Sequence, residues 1–421
     1  MTAKEAPAAA NRGPRVDRRT FAAGAAASAA VLSGAVPLRL ARAAAPLKIG
    51  ALAPMSGFFA REGQAIKRGL DLAPALLADM GMQVDIMLAD TESNVDKART
   101  AAEKLINEGA HVLCGAFVSA HTTAIAQVAE QRGVPLVINI AASPKITEQG
   151  YKYVFRNFPT APMIVMGGFK LMKDLFAATG TTPKTAVFMH VNDTFGKAMA
   201  GGIKALFPRA KMPFKIVETI AYDPKARDLS VEIAKAKATK AELVMPVAHG
   251  ADAIMLVREM VKQRYEPMGV ITPGSPGMYE QQFYKTLGKF SEYAVTNISW
   301  INPRTGLSQA LTAAFEKKFP DNLMELNVGF TFEAMLIIAD AHRRAGSAEP
   351  KALTEALRAT NIAEHVMTGG PIQFNKKGQN VNIRSAAVQN RGRKPTVVLP
   401  ADAAAMPPVF PAPGWASPQR T

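Results

Sequence analysis

An α/β protein with two wound parallel sheets is the fold class this sequence predicts, on three observations. At 421 residues the chain is too long for one compact α/β domain and suits two lobes, taking about 150 residues per domain. From Leu47 onward, short apolar runs alternate with amphipathic stretches, the pattern of parallel strands joined by crossover helices. After Phe158-Pro159 that alternation starts afresh, without obvious sequence repetition, so one architecture is expected twice.

The first winding reads clearly. Leu47 to Ala53 is a buried strand, Gly63 to Asp79 a helix and Gln83 to Ala89 a second strand. Ser93 and Asp96 have capping-box spacing, and Val95, Ala98, Ala102, Leu105 and Ile106 keep a helical period until Gly109. His111 to Cys114 is the third strand, Ser119 to Arg132 the third helix with Gly133 as its stop, and Pro135 to Ile138 the fourth strand. In the second winding, helices fall at Met163 to Ala178, Phe195 to Phe207, Leu229 to Ala238 and Ala251 to Gln263. Strands fall at Thr185 to Met189, Lys215 to Ile220, Leu243 to Val247 and Val270-Ile271. Beyond Glu292 come helices at Leu307 to Lys318, Gly329 to Arg344 and Lys351 to Thr360. Strand-like pieces then lie around Ile372 to Phe374, Ser385 to Gln389 and Thr396 to Leu399. From Ala401 the chain is too Pro-rich and polar to extend a core, and 406–421 is read as a tail.

Composition narrows the function classes. No stretch of about 18 apolar residues escapes interruption by Gly, Pro or charge, so a soluble mature protein is expected. The lone Cys114 sits in an apolar run, cannot form an intramolecular disulfide and reads as a buried inert thiol. The formal charge is +16, of which residues 1–43 carry +5. The surplus lacks an aromatic-interleaved basic stripe, zinc spacing or a recognition helix, so nucleic acid is not an expected partner. It fits an anionic ligand weakly and a general solubility effect better.

Residues 1–43 have the order of an export signal. Asp17-Arg18-Arg19-Thr20-Phe21 precedes the Ala-rich segment Ala22 to Val36, and Ala41-Arg42-Ala43 offers small residues at cleavage spacing. The arginine pair and Phe21 resemble a twin-arginine leader; an ordinary Sec signal is the other reading. The cleavage region holds no cysteine for a lipid anchor.

Enzyme signatures are missing. The first turn, Pro54-Met55-Ser56-Gly57-Phe58-Phe59, lacks G-x-G-x-x-G, and no phosphate loop, H-E-x-x-H or G-x-S-x-G occurs. Neither catalysis nor a cofactor is expected.

Four segments carry a family resemblance. Lys48 to Gly57 and Gly115-Ala116-Phe117-Val118-Ser119 look like the first and third strand ends of the leucine-type, class I periplasmic binding proteins. Asn192-Asp193-Thr194-Phe195-Gly196 resembles the family's aromatic-Gly turn, and Gly370 to Gly378 its late G-P-x-x-F/W-x-x-x-G hairpin. The resemblance runs in order over roughly residues 47 to 400 and implies two Rossmann-like lobes joined by a three-strand hinge. It implies lobe one at 46–159 plus 297–370 and lobe two at 160–296 plus 371–405. It further implies a monomeric periplasmic protein that captures a small molecule for an inner-membrane ABC permease. A ligand sensor on the same fold is the alternative.

Strand ends and helix N-termini should then face one cleft, with candidate ligand-binding residues Ser56, Glu62, Ser119, Ala141, Ala142, Ser143, Phe195, His249, Gly274 and Tyr279. Ser119 sits at the cap of the third helix, where unpaired N–H groups favour a carboxylate; in leucine-type relatives this serine both caps and binds. The family's gripping threonine matches Ala142, with Ser143 beside it, and its tyrosine matches His249, which also reads as a loop hydrogen-bonder. The family's acid for the ligand ammonium matches Gly274, so an α-amino acid requires Glu62 or another acid as substitute. Phe195 keeps the aromatic wall, and Phe58, Phe59, Phe117 and Tyr279 fall near the cleft. The expected ligand is a small carboxylate, aromatic acids included, with branched-chain amino acids and amides or urea-like solutes as alternatives.

Overall fold

Strand β1 (Leu47–Ala53) buries every side chain except Lys48, as a strand covered on both faces must. The computed structural model describes residues 47–401 and 403–420. The segment read as an export signal lies outside the described residues. Around β1 a parallel sheet forms in the order β2-β1-β3-β4-β5, with β2 (Val84–Asp90), β3 (Val112–Cys114), β4 (Leu136–Ile138) and β5 (Val154–Arg156). Its crossover helices are α1 (Ala60–Asp79), α2 (Val95–Asn107) and α3 (Ser119–Arg132), the last stopped by the left-handed Gly133.

Helix α4 (Ala161–Thr179) opens the second winding. Strands β6 (Thr185–Val191), β7 (Lys215–Tyr222), β8 (Leu243–Val247), β9 (Gly269–Thr272) and β10 (Val295–Ile298) run parallel, and antiparallel β11 (Ala386–Arg391) and β12 (Lys394–Leu399) extend the sheet beyond β10. Helices α5 (Thr194–Ala210), α6 (Ser230–Ala238), α7 (Gly250–Lys262) and α8 (Gln281–Leu287) belong to this part. The parallel strands repeat the first order, β7-β6-β8-β9-β10, so each sheet has a switch point beside its first strand, where such folds bind ligands. Helices α9 (Gly306–Lys318) and α10 (Leu326–Ala345) return to pack on α1, and α11 (Pro350–Arg358) packs on α10.

The chain therefore passes between the sheets three times: after β5, after β10, and before β11. The passes are tied to one another. Arg156 N donates to Gly378 O, Asn380 Nδ2 to Asn157 Oδ1 at 2.9 Å, and Thr368 N to Trp300 O at 2.7 Å. Glu333, wholly buried on α10, accepts from Asn157 Nδ2, His365 Nδ1 and the N–H groups of Val366 and Met367, anchoring the crossing region.

Several expectations are corrected. Helix α2 is capped by Asn94, whose carboxamide oxygen accepts from Asp96 and Lys97 N–H, rather than by Ser93. Ser93 instead ties the loop after β1, accepting from Phe59 N and donating to Ser56 O. The short elements β5, β10 and α8 were not expected, and Ile372 to Phe374 makes isolated bridges only. The hairpin from Phe374 to Asn380 packs on β5, with the rings of Phe374 and Phe155 5.4 Å apart. Segment 403–420 does extend a core: Phe410 and Trp415 are buried, and Trp415 Nε1 donates to Tyr265 O. Its prolines leave few N–H groups to satisfy, and the two aromatics supply the buried area. Cys114 is buried as expected, and burial pushes its thiol well above the usual range.

Candidate functional site

Four helices aim their N-termini at one cavity between the two sheets. Val118 and Ser119 come from the start of α3, Phe195 from α5, His249 from the cap of α7, and Leu326 and Asn327 from α10. Each N-terminus brings N–H groups without intrahelical partners and the positive end of a helix dipole. The walls are otherwise apolar: Phe117, Ile140, Ala141, Ala142 and Phe158 on the side of the first sheet, Ile164, Gly274, Pro276, Tyr279 and Ile298 on the other. The space between these walls, that open to solvent included, amounts to about 460 Å³. Neither carboxylate nor Lys or Arg lines it.

Three polar side chains face this space with hydrogen-bonding capacity left over. Ser119 is the first residue of α3, the cap being Val118, and its hydroxyl is buried without a partner among the described residues. The expectation of a capping serine is thus corrected: at the first helical position the hydroxyl cannot reach back to the next N–H groups, which frees it for the cavity. His249 gives Nε2 to Asp193 Oδ2 at 2.8 Å, while its Nδ1 has no partner among the described residues. Burial pulls the imidazole pKa down, but the bond and charge of Asp193, with Asp252 and Glu62 behind, outweigh that and leave it raised. Asn327 is fully buried with both amide atoms unpartnered among the described residues. It lay outside the expected helix start at Gly329; a lone Asn in an otherwise apolar helix entrance was the signal available.

Seven expected site residues meet here: Ser119, Ala141, Ala142, Phe195, His249, Gly274 and Tyr279. Three do not line it. Ser56 is exposed on the loop after β1, its N–H bonded to Asp90. Ser143 turns into a separate groove with Lys145 and Lys197, and its carbonyl accepts from the buried Arg156, which also holds Ala141 O. Glu62 is buried beside His249, Asp252 and the Gly250 N–H at the start of α7. Of the expected aromatics, Phe117, Phe195 and Tyr279 line the cavity. Phe59 closes it from outside, its ring 5.0 Å from His249 and 5.9 Å from Phe117, and Phe58 is half exposed.

Gly274 has no room for any side chain. Its φ is +134°, and a Cβ there would meet Ile164 Cγ2 and lie 2.6 Å from Asn297 O.

Behind the cavity lies a seam of four buried carboxyls: Glu62 on α1 and Glu325 at the cap of α10 face Asp252 on α7 and Glu280 at the cap of α8. None has an ion pair within 4 Å among the described residues. Asp252 Oδ2 accepts from Tyr222 and Glu325 from Gln281 N, whereas Asp252 Oδ1 and Glu280 Oε1 have no partner there. Burial raises all four pKa values, Glu280 well above the carboxylate range and Glu325 to about 7. The carboxyls do not form a metal-binding group.

Two similarly wound sheets facing each other across one largely apolar cavity define a bilobal solute-binding fold. The chain belongs to the periplasmic binding protein family, whose match spans residues 46–392. It is 24% identical to the Leu/Ile/Val-binding protein homolog 8 of Brucella abortus, over 86% of this chain and 92% of the relative. Among solved structures, a leucine binding protein from Thermotoga maritima superposes with a TM-score of 0.71 at 19% identity, covering 83% and 97% of the two chains. The solute-binding protein of an ABC transporter from R. palustris, in complex with benzoate, reaches a TM-score of 0.72 at 22% identity, covering 86% and 98%. These neighbours agree with the leucine-type resemblance and the two-lobe type I fold.

Proposed function

We propose that this chain is the exported, periplasmic solute-binding component of an ABC uptake system, and that its ligand is a small, largely apolar carboxylate, aromatic acids included. The observation that carries the ligand class is the pairing of converging helix N-termini with a wall that holds no acid. The N–H groups at the start of α3, where no acid stands, and the Ser119 hydroxyl suit a carboxylate. An α-ammonium has no counter-charge there, because Gly274 cannot be given a side chain and Glu62 faces α7 instead of the cavity. Burying an unpaired ammonium would cost several kcal/mol. Phe117, Phe158, Phe195 and Tyr279 supply flat apolar surface for a ring.

Binding would draw on both halves, with Ser119 and Ala141–Ala142 on one side and Phe195, His249, Gly274 and Tyr279 on the other. Such bridging favours a closed arrangement by the ligand's differential affinity for it. No helix among the described residues is long and apolar enough to cross a membrane, in keeping with a protein that works beside a permease.

Calorimetry on refolded, ligand-free protein tests the ligand class, with benzoate, leucine and short amides titrated in turn. The expected result is saturable benzoate binding with leucine weaker by at least tenfold. Tight leucine binding that survives Phe195→Ala and disappears with Glu62→Gln would overturn it.

A further inference from the structure

Asn327 stands apart from the other buried asparagines of this chain. Asn139, Asn157, Asn297, Asn380 and Asn390 all spend their carboxamides on protein partners. Asn327, in the first turn of α10 and without exposed surface, belongs to the cavity wall and has no partner for Oδ1 or Nδ2 among the described residues. A buried carboxamide left unbonded is costly, and a protein keeps one where something else completes it.

A carboxylate alone cannot complete it. An ionised carboxylate only accepts hydrogen bonds, so it could take the Nδ2 protons but leaves Oδ1 without a donor. The missing partner must therefore be a donor, and in a wall without acids it must be an uncharged one. Resting on the carboxylate reading above, we infer that the ligand carries a hydroxyl in addition to its carboxylate, and that Asn327 is the residue that selects for it.

The test is a calorimetric series on the refolded full chain with benzoate, 3-hydroxybenzoate, 4-hydroxybenzoate and benzamide, alongside leucine. One hydroxybenzoate should bind at least tenfold more tightly than benzoate. Asn327→Leu should remove that preference by weakening the hydroxylated acid at least tenfold more than it weakens benzoate, because the contact that tells the two apart is lost. Equal affinities for benzoate and both hydroxybenzoates overturn the inference while leaving the carboxylate reading intact. So does an Asn327→Leu loss shared equally by all acids. Leucine binding without binding of any acid overturns both, and a preference for benzamide assigns the donor to an amide instead. Should Asn327→Leu fail to fold, the wild-type ratio alone decides.

Discussion

His249 Nε2 lies 2.8 Å from Asp193 Oδ2, and this contact joins the caps of two helices, α5 and α7, at the edge of the cavity. Asp193 also accepts from Gly196 N–H, so one carboxylate both starts α5 and fixes the imidazole ring. Burial raises the Asp193 pKa, but the His249 bond and charge and the N–H groups of Gly196 and Phe195 hold it below the ordinary value. Asp193→Ala should cost on the order of 2 kcal/mol of stability, since a charged hydrogen bond and a helix cap go together. It should also weaken ligand binding about tenfold through the freed imidazole. Urea denaturation and calorimetry read the two effects; unchanged affinity would mean that His249 is held by Phe59, Phe117 and Phe195 alone.

The carboxyl seam gives closure a pH dependence of definite sign. Glu62, Asp252, Glu280 and Glu325 have raised values where they are buried, so a form that buries them binds more protons than one that exposes them. Their support is complete below the ordinary carboxylate range and fades as pH climbs through the raised values, near 7 for Glu325. His249, also raised, acts in the same direction. Arg61 and Arg68 oppose it, lowering Glu280 and Glu325 respectively. Asp193, held below its ordinary value, acts with the opposite sign and loses its support only as pH falls below the ordinary carboxylate range. Ligand affinity should therefore fall, on the order of tenfold per unit of proton linkage, as pH climbs from the ordinary carboxylate range through about 7. Glu280→Gln should flatten that profile. An affinity that rises with pH would contradict it.

How much of this was legible in the sequence depended on element length. Buried runs such as Leu243 to Val247 and helices with a glycine stop, such as Ser119 to Arg132 before Gly133, appear where the pattern puts them. The three-residue β5 and four-residue β10 carry too few positions to show a period. Side-chain direction was harder still. Ala142 and Ser143 are adjacent, yet one faces the cavity and the other a different groove, because Arg156 pins the carbonyls of Ala141 and Ser143. Glu62 was a candidate for the cavity but meets α7 across the seam, a relationship between helices nearly 190 positions apart that no local pattern encodes.

Gly274 sets a limit on retuning the site. Gly274→Asp, the change that would restore an acid where leucine-type relatives carry one, must hold an L-residue at φ +134° against Ile164 and Asn297 O. It should destabilise the protein by about 3 kcal/mol or more and fail to create leucine binding. Pairing it with Ile164→Ala relieves one clash and leaves the backbone strain, so recovery should be partial. Thermal melts and leucine titration of both variants check this; a stable Gly274→Asp that binds leucine would show that the loop can rearrange.

Beyond the family match, which ends at residue 392, the chain is still built into the second sheet. From there β12 adds an edge strand, and segment 403–420 doubles back over the second sheet. Val409 exchanges two hydrogen bonds with the Gln389 carboxamide, Ala412 N donates to Met268 O, and Arg420 donates to Glu292 O at 2.7 Å. The Arg420 guanidinium also lies 4.3 Å from the Trp415 ring, whose Nε1 is bonded to Tyr265 O. Phe410 packs against Phe176 on α4, with ring centroids 5.2 Å apart. This segment thus covers one end of the second sheet away from the ligand cavity, none of whose lining residues it supplies. Trp415→Ala should cost about 3 kcal/mol, the usual loss for a buried large aromatic, and Arg420→Ala about 2 kcal/mol, because its buried guanidinium gives up bonds to Pro413 O, Gly414 O and Glu292 O. Ligand affinity should stay within about twofold in both variants, since the Trp415 contacts, to Tyr265, Glu266, Phe290 and Arg420, do not reach the site. Denaturant midpoints and calorimetry separate the two effects. Equal loss of stability and affinity would instead tie this segment to closure of the lobes.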